Sequence, residues 1–186
     1  NKPLTTAQLY NISEALTRAA LDEGNANAAK QVLGTTTESM KETTDGEEPE
    51  RRRSLRRRNL LATPEEESQA LRAAVLANLW STYAITPVTQ ADVASLLDVL
   101  AGVVDTPSEV TDAVAASALR FLTTVLAASK TAGVGISNTA AGLVGTSLSN
   151  LFESNYFGTS GGATSFAAAP AAPSASLADS PPACSE

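Results

Sequence analysis

The chain has 186 residues and a net charge of −7, and 43% of its residues are hydrophobic but only 4% aromatic. The acidic balance argues against nucleic-acid binding by the whole chain, because phosphate contacts require a basic surface. The chain has no His, which excludes Ser-His-Asp and Cys-His catalysis and His metal ligands, and its single Cys, Cys184, excludes an internal disulfide. We therefore expect no enzyme, and no catalytic, cofactor or metal site.

Residues 1–34 are predicted to form an N-terminal helical segment. Thr5 and Gln8 have the spacing of a capping box, and apolar residues at helical spacing follow them. The first helix is expected to end near Gly24 and to bury the stripe Leu9, Ile12, Leu16 and Ala19 or Ala20. Because an isolated helix of this length is marginal in water, we expect it to pack on the later helices.

A second, shorter helix is predicted over residues 25–33, with Gly34 as its end. Residues 35–62 are then predicted to be a flexible linker, acidic at first and Arg-rich afterwards. Their composition offers too little apolar surface to offset the entropy of ordering.

The Arg-rich part of this linker, RRRSLRRR at residues 51–58, admits several interpretations. Arg53 and Arg56 have the Arg-x-x-Arg spacing of a proteolytic processing site. A phosphate on Ser54 would lie among guanidinium groups. A nuclear-localisation or nucleic-acid patch is a further reading, although no aromatic residue lies within the run. The run also fits a solvated loop whose positive charge offsets nearby acids.

Residues 63–156 are predicted to form the helical core domain. Thr63, Thr89 and Thr106 are each followed three residues later by an acid and then by an apolar stripe, which is typical of helix starts. Helices are predicted over residues 64–83, 90–104, 107–129 and 139–152, the last capped by Ser137 or Asn138. The third of these carries few charges, so we expect it to be the central and most buried helix.

The remaining residues, 157–186, are predicted to be a low-complexity Ala/Ser/Pro tail. No segment indicates a membrane span, because the most apolar one, residues 113–129, is shorter than the usual ~20 residues and contains Arg120. The expected fold is thus all-α, a small bundle or array of about five short helices with a disordered linker and C-terminal tail.

Asn11, Ile12 and Ser13 form the one N-glycosylation sequon of the chain. If Asn11 lies on the exposed face of the first helix, a glycan is tolerated there. The chain begins with Asn1 rather than Met, so we expect it to be a piece of a longer protein whose signal peptide or anchor lies outside it.

Residues 8–16, QLYNISEAL, resemble a helix with a Tyr-Asn-hydrophobic-Ser/Thr motif in the extracellular region of polycystin-1-like proteins. That helix lies between the sperm-receptor (REJ) module and the autoproteolytic juxtamembrane (GAIN) domain. Residues 85–126 are similar to the Leu/Val/Ala helices of the same region, and the alanine-rich composition is typical of a high-GC genome such as that of a green alga. No autoproteolytic motif and no β-rich subdomain occur here, so the resemblance does not extend to cleavage activity.

The resemblance implies a non-enzymatic extracellular helical spacer or interaction segment of a membrane receptor linked to cation-channel signalling. It would lie at the extracellular face of the plasma or ciliary membrane, bind a protein partner, and meet the membrane only through other parts of its parent. The sequon and the Arg-x-x-Arg site fit this setting, because both are read in the secretory pathway. The alternative is a cytoplasmic helical scaffold or protein-binding module, with a partner helix held in grooves between Ala-rich helices.

Overall fold

The computed structural model describes residues 5–46 and 63–154, and every regular element within these two ranges is helical. The helices are α1 (Thr6–Asp22), α2 (Ala26–Gly46), α3 (Pro64–Ile85), α4 (Gln90–Val103), a 3₁₀ turn (Pro107–Glu109), α5 (Asp112–Thr131) and α6 (Asn138–Glu153). The all-α prediction is thereby confirmed. The predicted tail, 157–186, and the Arg-rich part of the predicted linker lie outside the described residues.

Four helices begin at the residues predicted to cap them. Thr5 and Thr63 form complete capping boxes. Each Thr hydroxyl accepts from the backbone N–H three residues later, and the side chain of that residue, Gln8 or Glu66, accepts from the backbone N–H of the Thr. Thr89 and Ser137 each accept a backbone N–H of the following turn. These side chains satisfy donors that a helix N-terminus otherwise leaves without partners, so the local sequence determines where the helices begin.

The predicted helix start at Thr106 is wrong. Thr106 precedes only the short 3₁₀ turn and makes no side-chain cap, whereas α5 begins one residue after Thr111, whose hydroxyl accepts a backbone N–H. The acid that was expected to return to Thr106, Glu109, instead forms an ion pair with Arg72 of α3. A tertiary contact therefore overrides the local capping pattern.

Helix α2 continues through Gly46, well beyond its predicted end at Gly34. Past Gly34 the helix buries Thr36, Thr37 and Met40, because it packs against α1, α3 and α4 along this stretch. The hydroxyls of Thr36 and Thr37 donate to backbone carbonyls of the preceding turn, so their burial leaves no donor unpaired. The linker predicted to start at residue 35 was therefore placed too early.

The centre of the fold is α4, not the helix that follows it. Helix α4 packs against α2, α3, α5 and α6, and its buried residues include Val93, Leu96, Leu97, Val99, Leu100 and Val103. Helix α5 packs mainly on α3 and α4 and keeps Arg120 exposed, so the prediction that it is the most buried helix is wrong. Helix α4 is also the more hydrophobic of the two on average, so the small number of charges on α5 was a poor guide to burial.

One helix within the described ranges, α5, is long and apolar enough to cross a membrane by length and composition alone. In this fold 44% of its apolar window is buried. Its Phe121 packs edge-on against Trp80 of α3 at 5.0 Å between ring centroids. A packed core helix meets the same length and composition criteria, so this finding is weak support for a membrane span.

Candidate interaction surface and buried polar pairs

Helix α1 presents mostly small and polar residues to the fold and two large apolar residues, Ile12 and Leu16, to solvent. Its buried residues are Leu9, Ser13, Thr17 and Ala20, which face α2 and α3. Ile12 and Leu16, which were predicted to be buried, are 45% and 52% exposed. Helix α1 thus packs on later helices as expected. The buried stripe is rotated around the helix away from Ile12 and Leu16.

Small side chains explain why this stripe faces inward. Ser13, Thr17 and Ala20 recur at intervals of four and three residues, so they lie on one face of α1. Small residues on that face let the α1 backbone approach its neighbours closely. Ile12 and Leu16 lie beside the stripe, where α2 and α3 do not cover them.

The inward face of α1 also contains an unpaired polar group. The Thr17 side chain is fully buried, and its hydroxyl has no hydrogen-bond partner within the described chain. Burying such a group costs about 1–3 kcal/mol. Helix α1 therefore packs with a buried hydroxyl unpaired while two large apolar side chains remain in water.

The outer surface of α1, which we define by Asn11, Ile12, Ala15, Leu16 and Ala19, is continuous along the helix. A shallow cleft of about 450 Å³ lies on it and includes Asn11, Ala15 and Ala19. Glu14, Arg18 and Asp22 line the same cleft, whereas Ile12 and Leu16 lie on the helix beside it. Exposed apolar residues with charged residues beside them are typical of protein contact surfaces.

Asn11 is exposed on this outer surface, which meets the condition for a tolerated glycan, but its sequon partner Ser13 is not exposed. Ser13 is 4% exposed and faces the interior of the fold. A glycosylating enzyme reads the Asn and the Ser together, so it has to act before α1 packs. The sequence did not predict the burial of Ser13, because a Ser side chain is small and polar.

The other predicted modification residues, Arg53, Ser54 and Arg56, lie outside the described residues. Helix α2 ends at Gly46 and the α3 cap is Thr63, so the run belongs to the connection between these two helices. A cut there would divide the chain into α1–α2 and α3–α6.

A buried ion pair joins α2 to the start of α4. The ammonium of Lys30 donates to the Asp92 carboxylate, and both side chains are largely buried. The hydroxyl of Thr89 donates to the other carboxylate oxygen at 2.6 Å. Burial raises the pKa of Asp92, but the hydrogen bonds from Lys30 and Thr89 and the Lys30 charge outweigh it, so the pKa lies below its ordinary value.

A second ion pair joins α3 to the turn before α5. The Arg72 side chain is only 1% exposed, and its Nε and Nη2 donate to one Glu109 oxygen at 3.0 and 2.8 Å. Its Nη1 donates to the Val103 carbonyl at 2.6 Å, and Ser68 also donates to Glu109. This network satisfies a carbonyl at the end of α4 and fixes the 3₁₀ turn against α3.

Neither ion pair was predicted from the sequence, although the spacing of Lys30 and Arg72 relative to core residues was an indication. Lys30 lies three residues before the fully buried Leu33, and Arg72 lies four residues before the buried Leu76. A charge at the spacing of core residues indicates either a long side chain reaching water or a buried partner. Both residues have a buried partner, which sequence spacing alone does not identify.

A second shallow cleft, of about 480 Å³, lies between the α1–α2 turn and the α3–α4 loop. Glu23, Asn25, Ile85 and Asp92 are among its lining residues, and Asp92 is already bound to Lys30 there. Among the described residues, no group of three His, Cys, Asp or Glu side chains is placed to hold a metal ion.

Comparison with known proteins adds no relative. No protein-family model matches the chain, and no curated protein or solved structure matches it significantly. The resemblance to polycystin-1-like proteins therefore stays a prediction that depends on residues 8–16 and 85–126.

Proposed function

We propose that this chain is a non-enzymatic helical interaction module that binds a protein partner through the outer surface of α1. The observation that carries the proposal is the exposure of Ile12 and Leu16 beside a buried stripe containing Ser13 and Thr17. Burying a fully exposed large apolar side chain contributes about 1.5–3 kcal/mol, and a partner that covers the exposed half of Ile12 and Leu16 gains about half of this at each. The small Ser13 and Thr17 side chains let α1 pack closely on its neighbours while the apolar groups stay exposed.

The charged residues of the core support a structural role. Arg72 binds both Glu109 and the Val103 carbonyl, and Lys30 binds the Asp92 carboxylate. Each of these groups has its partner inside the fold and holds two helices together. Removing one member of such a pair is strongly destabilising, which suits a rigid support for a contact surface.

The setting we propose first is the extracellular part of a polycystin-1-like receptor, where the module serves as a spacer and contact segment. The support is the sequon at Asn11, which is exposed. Around a helix with ~100° per residue, Asn11 and Leu16 point about 140° apart. A glycan on Asn11 therefore leaves the Leu16 side of α1 open to a partner. The alternative setting is a cytoplasmic scaffold, in which the same surface binds without a glycan.

The contact surface is tested by photo-cross-linking in cells with the complete protein. A photoactivatable residue replaces Leu16 in one variant and the exposed Thr123 of α5 in a matched control. We expect a discrete cross-linked adduct from position 16, lost when Ile12→Glu is added, and no such adduct from position 123. The same diffuse products from both positions would refute the surface.

The setting is tested separately by the mass of the native protein. Glycosylation at Asn11 adds a glycan that an N-glycosidase removes and that Asn11→Gln abolishes. Asn27→Gln changes an exposed Asn outside any sequon and is the matched control. An unmodified Asn11 together with an intact 51–58 segment would favour the cytoplasmic alternative and would leave the contact surface itself standing.

A further inference from the structure

We propose that the surface formed by α3 and α4 is a docking site for a helical hairpin, and that the α1–α2 hairpin of a second copy binds it in the same way as the chain's own. This inference goes beyond the outer surface of α1 and does not depend on it. The occupant is defined by the α1–α2 hairpin itself, whose contacts with α3 and α4 are known in detail.

The contacts between the hairpin and the rest of the fold are those of one hydrophobic core. Helix α1 packs on α3, and α2 packs on both α3 and α4. Helix α2 contributes Ala29, Leu33 and Met40, which are almost completely buried. Extensive burial of apolar side chains therefore holds the hairpin on α3 and α4.

Two ion pairs match the hairpin to α4 and its end, and the buried one, Lys30 with Asp92, is the more costly to break. Lys30 and Lys41 come from α2, and their partners Asp92 and Asp105 come from α4 and the residues just after it. The two lysines are about 16 Å apart along the helix, at 1.5 Å per residue. Basic groups on the hairpin thus meet acidic groups on the surface at both ends of the contact, and a reversed or shifted helix loses both pairs.

A close backbone approach between the two ion pairs adds shape specificity. The side chain of Thr37 lies against Gly102 of α4, where a Cβ would stand 2.6 Å from the Thr37 Cβ. A helix with a small residue at this point and lysines on either side fits the surface. The α2 helix of another copy meets these requirements.

The length of the connection allows either copy to supply the hairpin. Helix α2 ends at Gly46, α3 begins at Pro64, and residues 47–62 join them. Each residue spans at most ~3.3–3.6 Å, so this connection is long enough to reach a neighbouring molecule. The hairpin on the same chain has an effective concentration in the millimolar range, so it wins in dilute protein. Exchange between copies appears when the contact within the chain is weakened or the protein is concentrated.

Complementary charge reversal in two complete chains tests this directly. Lys30→Asp places two acids together in one variant, and Asp92→Lys places two lysines together in the other. Each is expected to be monomeric alone, but the mixture should form a heterodimer in native mass spectrometry, because each hairpin then finds an opposite charge on the other chain. The Lys30→Asp/Asp92→Lys double variant restores the pair within one chain and should stay monomeric.

The proposal would be overturned if the mixed variants stayed monomeric while both kept their helical circular dichroism. The exposed pair supplies the matched control, since Lys41 and Asp105 are 50% and 38% exposed. The mixture of Lys41→Asp with Asp105→Lys should give far less heterodimer, because an exposed pair contributes little. Equal heterodimer from both mixtures would mean that non-specific association is being measured.

A second measurement covers the case in which the charge variants do not fold. Lys41→Cys in one chain and Asp105→Cys in another, both with Cys184→Ser, are mixed in urea, refolded together at high concentration and treated with a short bismaleimide. We expect a covalent heterodimer several-fold above that obtained when Thr123→Cys replaces Asp105→Cys. Yields equal to this control would mean that the hairpin does not dock between copies.

Discussion

Gly102 of α4 lies directly against Thr37 of α2, so that an added Cβ would stand 2.6 Å from the Thr37 Cβ and 2.8 Å from its hydroxyl oxygen. The Thr37 hydroxyl donates to the Gly34 carbonyl at 2.8 Å, which fixes the rotamer of the side chain. Both residues lie inside helices, so relieving a clash between them requires the helices to shift. The spacing between α2 and α4 therefore depends on the missing side chain at position 102.

Gly102→Ala is expected to lower the free energy of unfolding by about 1–3 kcal/mol, because the new methyl group forces the two helices apart. Urea unfolding followed by circular dichroism measures the change. Gly145→Ala is the matched control, since Gly145 lies in α6, is exposed and has nothing within 4 Å of an added Cβ. That substitution should stabilise by about 0.5–1 kcal/mol through helix propensity. A gain at Gly102 equal to that at Gly145 would show that α2 does not approach α4 this closely.

This contact also illustrates what the sequence predicts and what it does not. The starts of α1, α3 and α4 follow from Thr5, Thr63 and Thr89, because capping is decided within a few residues. The extent of α2 beyond Gly34 does not follow from the local sequence. Thr36 and Thr37 are helical because this part of α2 contacts other helices. A run of Thr and Glu alone predicts a linker.

The same distinction applies to the candidate surface. The exposure of Asn11 follows from a helix whose opposite side is buried, so it was predictable in outline. The exposure of Ile12 and Leu16 was not, because an apolar stripe is normally the buried one and Ser13 and Thr17 take its place here. Which stripe of α1 faces inward depends on how closely α2 and α3 approach, which is a property of three helices together.

Thr17→Val is expected to raise the free energy of unfolding by about 1 kcal/mol, because it replaces a buried unpaired hydroxyl with a methyl group of similar shape. Thr36→Val is the matched control in another buried helical position, where the hydroxyl donates to the Val32 carbonyl at 2.7 Å. That variant loses a hydrogen bond worth about 1 kcal/mol and should show no gain. Thermal and urea unfolding of both variants give the comparison. If Thr17→Val is as costly as other core changes, the hydroxyl has a partner that stabilises α1.

The ion pair between Lys30 and Asp92 should make the fold sensitive to acid. Because the pKa of Asp92 is lower in the folded chain than in the unfolded chain, its contribution is fully present above the unfolded value of 3.8. It is lost as the pH falls through the folded pKa, when the carboxylate binds a proton.

The free energy of unfolding, measured in urea from about pH 6 to about pH 2, should therefore fall more steeply for the wild type than for Asp92→Asn. Asp98→Asn, which changes an exposed carboxylate of the same helix, serves as the control and should keep the steep dependence. Parallel curves for the wild type and Asp92→Asn would show that the pair does not stabilise the fold in this way.

The effects of substituting Arg72 and Glu109 on the free energy of unfolding should be coupled, and the two single substitutions should differ in cost. Arg72 is almost completely buried, whereas Glu109 keeps 17% of its side chain exposed. Glu109→Ala leaves a buried guanidinium without its carboxylate and is expected to cost about 3–5 kcal/mol. Arg72→Met leaves a carboxylate that still reaches water and accepts from Ser68, so it should cost less.

The double variant Arg72→Met/Glu109→Ala removes both charges, and its loss should be smaller than the sum of the single losses, with a coupling of about 0.5–3 kcal/mol. Urea unfolding of the four proteins completes the cycle. The exposed pair Lys41 and Asp105 provides a second cycle, in which the coupling should be below about 1 kcal/mol. Strict additivity at Arg72 and Glu109 would mean that the α3 contact does not hold the 3₁₀ turn. The override of the Thr106 capping pattern would then need another cause.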